Sequence, residues 1–189
     1  MLDHEERRFL LSVLRKARPH GFSLIELMIA IAIFSITLTF GVSSYRTWVQ
    51  NTQIRNAAES IQNGIQRTRA EAVKRNTNVA FTLGAGSSWT VSVVSSGEVI
   101  DSRPSSEGSK NVTISALDKD DNAATTITLN SLGGVVANAN TLARVDLDSS
   151  VLDPADSRDL RITIGVNGVG SNVRMCDPNL SAGTSPMAC

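Results

Sequence analysis

Hydrophobic and polar positions change rhythm twice along this chain. From Phe22 to Val42 the run FSLIELMIAIAIFSITLTFGV is apolar on every side of a helix, with one charge, Glu26, and no proline. About 20 such residues at 1.5 Å rise cross a hydrocarbon core of roughly 30 Å, so the run predicts a membrane-spanning helix. Beyond it the apolar positions thin to a stripe. Val42, Tyr45, Val49, Ile54, Ala57, Ala58, Ile61, Ile65 and Val73 follow mostly three or four residues apart, which predicts an amphipathic helix over 43–76 that continues the first. The whole helix, 22–76, would run roughly 80 Å. Gly41 followed by Ser43 and Ser44 is its weakest point, since glycine costs about 1 kcal/mol in a helix. Arg67, Glu71 and Arg75 stand at four-residue steps on another face and predict two salt bridges in solvent. After Asn76 the period shortens to two. VAFTL (79–83), WTVSVV (89–94), NVTISAL (111–117), TTITL (125–129), ARVDL (143–147) and LRITIGV (160–166) read as strands between Gly, Ser, Asn and Asp turns. The expected fold class is α+β: a long N-terminal helix, transmembrane first and amphipathic second, packed on antiparallel β-sheets in a sandwich-like head over 77–189.

Charge sharpens the reading of the first segment. Residues 1–21 hold Arg7, Arg8, Arg15, Lys16 and Arg18 against Asp3, Glu5 and Glu6. The basic cluster lies just before the apolar run, so the positive-inside rule puts the N-terminus in the cytoplasm and the β-rich part outside. Of 18 basic and 18 acidic residues, 13 and 15 remain after Gly21, a net of −2. A domain of that sign lacks the overall charge of a nucleic-acid binder. Both histidines, His4 and His20, precede Gly21. Were the first 21 residues removed, Ser-His and Cys-His catalysis and the commonest zinc ligand would go with them. An ordinary signal peptide cut after the apolar run competes with this reading. The carboxylate early in the run, and the lack of a small-x-small site after it, argue against that.

Glu26 is the informative residue. A carboxylate in a membrane helix costs roughly 2.5–3.5 kcal/mol on insertion scales and is functional by default. Cleavage after Gly21 would create an α-amino group on Phe22, four residues away, to pair with it in the same chain or a neighbour. Gly21-Phe22-Ser23-Leu24-Ile25-Glu26, after a basic leader and opening an apolar run, resembles the processing signal of type IV pilins and type II secretion pseudopilins. The resemblance implies that a membrane prepilin peptidase cuts after Gly21 and methylates Phe22, and that Glu26 guides docking of subunits. Residues 1–21 are then a removed leader.

The tail after Gly170 reads as loop. Cys176 and Cys189 enclose residues rich in Ser, Pro, Gly and Ala. In an oxidising periplasm a disulfide between them is the default; free thiols or a redox pair are the alternatives, and the spacing is too wide for a CxxC site. For a loop near 15 residues the bond is worth about 3 kcal/mol in chain-entropy terms. Asp118, Asp120 and Asn122 begin like a calcium loop, but Ala123 and Leu129 stand where its glycine and glutamate belong, so a polar turn is expected. The carboxylates between Asp146 and Asp159 lack a second class of catalytic residue and read as solvated loop.

The long helix, β-rich head and terminal cysteine pair resemble the FimT/FimU group of minor pilins, related to the GspH pseudopilins. That implies a structural subunit of a tip or priming complex, with other minor and major pilins as partners, and no catalysis or cofactor. Some members of the group carry a Gly-Arg-x-Arg loop associated with DNA uptake. Here Gly170-Ser171-Asn172-Val173-Arg174 keeps only the last arginine, and Arg158 and Arg161 are the nearest further candidates for phosphate contact.

Overall fold

The computed structural model describes residues 21–136, 138, 140–165, 172–181, 183 and 185–189. The leader expectation for residues 1–20, and the loop 166–171 that leads to Arg174, lie outside them. Among the described residues one helix, α1 (Leu24–Arg75), is followed by eight strands: β1 (Val79–Leu83), β2 (Trp89–Val93), β3 (Val99–Arg103), β4 (Val112–Leu117), β5 (Thr126–Leu129), β6 (Arg144–Ser149), β7 (Leu160–Ile164) and β8 (Val173–Cys176). The chain divides into two compact units, one ending at Val42 and one over Ser43–Cys189.

In the first unit the large apolar side chains from Phe22 to Leu38 are exposed all round the helix. The hydroxyls within this run are turned inward: Ser35 Oγ donates to the Ile31 carbonyl at 2.7 Å, and Thr37 Oγ1 to those of Phe34 and Ile33. Bonded to their own helix, these polar groups do not spoil an apolar surface. Among the described residues no helix is long and apolar enough to cross a membrane. Helical positions 24–38 supply about 22 Å at 1.5 Å rise. The side chains of Thr39 and Phe40, on which the full span depends, are outside the description.

In the second unit α1 turns one face to the core: Ile54, Ala57, Ala58, Ile61, Ile65, Thr68 and Ala72 are buried. The stripe read from sequence holds over its middle and fails at its ends. Val73 and Tyr45 are exposed, because 3.6-residue periodicity carries the buried face from Ile65 through Thr68 to Ala72. Thr68 is tolerated there because its hydroxyl bonds the Gly64 carbonyl at 2.8 Å. Of the two expected salt bridges, Arg75–Glu71 forms at 2.9 Å. Arg67 reaches across to Asp101 on β3 at 3.0 Å instead, and Glu71 takes Lys74 at 3.5 Å. The helix ends in a left-handed residue, Asn76 (φ 50°), with Asn76 N–H on the Val73 carbonyl and Thr77 N–H on that of Ala72. This double closure is a Schellman cap.

The strands form two four-stranded antiparallel sheets, β3-β2-β1-β5 and β4-β6-β7-β8. All six expected strands are present, within two residues at their ends, and two more lie at sheet edges. β3 is charged and half-exposed, so it carries little alternation to read. β8 falls in the segment expected to be loop. The inner faces of both sheets join the helix in one core around Phe81, Ile127, Leu147 and Ile162. The helix meets each sheet through a polar contact as well: Trp89 Nε1 donates to Ser60 Oγ at 2.8 Å, and Gln62 Nε2 to the Val173 carbonyl at 3.4 Å.

Candidate functional site

Two features carry the chemistry proposed from sequence: the start of α1 and the C-terminal edge of the second sheet. At the helix start, Ser23 Oγ accepts the Glu26 backbone N–H at 3.2 Å and the Ser23 carbonyl accepts Leu27 N–H at 3.1 Å. Ser23 is therefore the N-cap, and Glu26 is the acidic residue of the first turn. Ser-x-x-Glu is a helix-start spacing, so Glu26 has a structural reason to stand there besides any role in docking. It is a signal present in the sequence that the reading above leaves unused. Gly21 contrasts with it. Among the described residues, a side chain built on Gly21 would meet nothing within 4 Å. Their packing gives no reason for a glycine at that position.

At the other end, Cys176 and Cys189 are joined by a disulfide. The tail returns alongside β8: Asp177 N–H donates to the Met187 carbonyl at 2.7 Å, and Cys189 N–H to that of Asp177 at 3.3 Å. Arg174 Nη2 donates to the carbonyls of Ala188 at 2.9 Å and Pro186 at 3.4 Å. The loop-like tail of the sequence reading is thus a strand followed by a clasped return. Besides these backbone bonds, the Cys176–Cys189 bridge holds it covalently and Arg174 by charge-assisted hydrogen bonds.

Register places the three candidate phosphate contacts. Arg161 lies opposite Cys176 and Thr163 opposite Arg174, so Arg161 and Arg174 share the outer face of β7 and β8. Arg158 is in the turn before β7. Each is already engaged. Arg161 makes a two-point pair with Asp146 at 2.5 and 3.3 Å. Arg144 approaches the same carboxylate at 3.2 Å, and Arg158 Nε stands 3.7 Å from Asp177. Alternating signs, with every cation beside an acceptor, leave this face without a concentrated positive field.

The carboxylates of the expected polar turn and of the expected solvated loop stand in two environments. Asp118 is buried, and its Oδ1 accepts the N–H groups of Asp120 and Asn122 at 2.8 and 2.9 Å. The Asn122 N–H leads in holding this carboxyl below the usual range. Its lone pairs are spent on the turn, which is the polar turn the sequence suggested. Asp148 and Asp159 form a pair instead of open loop. Burial pushes Asp159 up, reinforced by Asp148, and Asp159 Oδ1 is enclosed without a donor. Burial opposes ionisation of Asp148 too, but the Ser157 hydroxyl and Ser149 N–H prevail and hold its pKa down. Asn179 Nδ2 donates to Asp159 Oδ2 at 3.2 Å and so ties the clasped tail to this pair.

Residues 57–168 match the family described as Type II transport protein GspH, and residues 16–42 match the prokaryotic N-terminal methylation motif. No curated protein matches the chain. Two solved structures of the type IV minor pilin FimU from Pseudomonas aeruginosa are similar to it. One has 16% identity and a TM-score of 0.43, covering 71% of this chain and 98% of that one. The other, in a second crystal form, has 18% identity and a TM-score of 0.45, covering 75% and 98%. The GspH match spans more than half of the sequence and takes in the core face of α1 and β1 to β7; the chain therefore belongs to the GspH family, described as type II transport protein, and carries the prokaryotic N-terminal methylation motif ahead of that match.

Proposed function

We propose that this chain is a minor pilin of a type IV pilus, a subunit of the tip or priming complex that initiates assembly. Its leader, residues 1–21, is removed by a prepilin peptidase, and the new N-terminus on Phe22 is methylated. Residues 22–42 hold the subunit in the inner membrane, with the N-terminus cytoplasmic and the β-rich head periplasmic. On entry into a filament the same apolar surface moves from lipid to neighbouring subunits, and Glu26 pairs with an α-amino group there. The role is structural, without catalysis or cofactor.

One observation carries this reading: a glycine for which the described packing gives no reason stands immediately before an exposed stretch of helix, apolar on all sides over residues 24–38, whose first turn holds that stretch's one carboxylate. A requirement for glycine that does not come from packing belongs to something that handles the chain from outside. Mass spectrometry of protein made with its peptidase should find a chain beginning at N-methylated Phe22. A mature chain beginning near Ser43 would mean an ordinary signal peptide and end the proposal.

The description of the matched family favours a second reading, a minor pseudopilin of a type II secretion system. Deletion separates the two: loss of surface pili supports the first, and loss of secreted protein with normal pili the second. DNA uptake is disfavoured by the engagement of Arg158, Arg161 and Arg174.

A further inference from the structure

Counted along the chain, Tyr45 and Trp48 follow three and six residues after the apolar run ends at Val42. Each is 64% exposed, and their rings stand 6.0 Å apart. The other tryptophan, Trp89, is buried against Phe81 at 7% exposure. Exposed aromatic pairs are unusual in a chain this poor in aromatics, and the core makes no use of this one.

Its surroundings are specific. A groove of about 220 Å³ beside Trp48 is lined by Leu160, Met175 and Met187, with Arg55 and Arg158 on its walls. No carboxylate lines it. The turn bearing Arg158 is fastened to the helix one turn beyond Trp48: Asn51 Nδ2 donates to the Asp156 carbonyl at 3.1 Å, and Arg158 N–H to Asn51 Oδ1 at 2.9 Å. Arg46, also exposed, lies between the two aromatic residues in sequence. Arg55 is paired with Glu59 at 2.8 Å and Arg158 stands 3.7 Å from Asp177, so it is the two amphipathic rings, with Arg46 between them in sequence, that suit a layer apolar on one side and anionic and wet on the other.

We propose that Tyr45, Trp48 and Arg46 form a seat for the phospholipid headgroup surface of the membrane that holds the chain. The inference rests on the membrane anchor proposed above. The headgroup layer is roughly 5–7 Å deep on each side of the hydrocarbon core. Three to six residues of helix cover about 4.5–9 Å, and helical side chains lean back toward the N-terminus, so both rings fall within that layer. Trp and Tyr collect at this depth in membrane proteins generally. The seat sets how deep the subunit sits before it joins a filament.

Full-length protein labelled with fluorotryptophan, in nanodiscs of phosphatidylethanolamine and phosphatidylglycerol, tests this with two fluorine resonances; Trp48→Phe assigns them. A gadolinium chelate on lipid headgroups should broaden the Trp48 signal severalfold and leave Trp89 sharp as the internal control. A third reporter, Ile33→Trp, should be broadened by a spin label in mid acyl chain. If Ile33→Trp responds and Trp48 does not, the anchor stands and the seat is overturned. If neither responds, the anchor falls and the seat with it. A Trp48 signal that follows the protein-to-lipid ratio instead of the headgroup label would assign the surface to a second copy of the chain and overturn the lipid reading.

Discussion

Glu26 shows how one side chain can serve two states. Its backbone N–H closes the Ser23 cap, and its carboxylate lies in the first turn, where the helix dipole favours negative charge by about 0.3–1 kcal/mol. Substitution by alanine keeps the backbone cap and loses only the carboxylate. Glu26→Ala should therefore insert and be cleaved normally yet assemble poorly, measured as incorporation into sheared filaments; normal incorporation would make the charge dispensable. Asp159 makes the opposite case, a carboxylate the fold tolerates at a cost. Its folded pKa is raised, so this group's contribution to stability improves as pH falls through that value and is least favourable at neutral pH. Asp159→Asn should raise the melting temperature by a few degrees at pH 7. The gain should vanish below the ordinary carboxylate pKa of about 3.9, where Asp159 is protonated in the folded and the unfolded wild type alike. A variant that melts lower at pH 7 would show that the Asn179 bond outweighs the repulsion from Asp148.

At the scale of elements, the fit of α1 against the first sheet depends on Gly64. A Cβ there would stand 2.7 Å from Phe81 Cε2 and 3.3 Å from the Trp89 ring. Helix propensity alone predicts that Gly64→Ala stabilises by about 1 kcal/mol. Overpacking of a close contact costs about 1–3 kcal/mol, and both rings are wedged in the core. Thermal or urea unfolding of the head should show the variant less stable. A gain would mean that the rings can yield.

For the molecule as a whole, charge decides between scaffold and nucleic-acid receptor. The residues after Gly21 are net acidic, and the arginines nearest the tail are satisfied by Asp146, Asp177 and the tail carbonyls. Binding of duplex DNA should be weak at physiological salt and fall steeply as salt rises, as a few phosphate contacts would. Binding at micromolar or tighter affinity that disappears in Arg174→Ala would reverse this ranking, provided the variant keeps its disulfide and melting temperature.

The sequence by itself determined the elements whose physical signal is local. An apolar run, a stripe at helical spacing and alternating β-branched residues are properties of neighbours along the chain, so α1 and six strands could be read directly. The motif at Gly21 to Glu26 was legible for the same reason, though its Ser-x-x-Glu cap was passed over. What tertiary structure decided was pairing. Whether Arg67 meets Glu71 or Asp101 depends on where β3 lies, and β3 is an edge strand without alternation. Val73 yields its place in the core to Ala72 because the sheets set which arc of the helix is covered. Arg174, read as a candidate phosphate contact on a loop-like tail, is the fastener of that tail, because β8 exists only as the partner of β7 and that pairing is not written in β8's own neighbours along the chain.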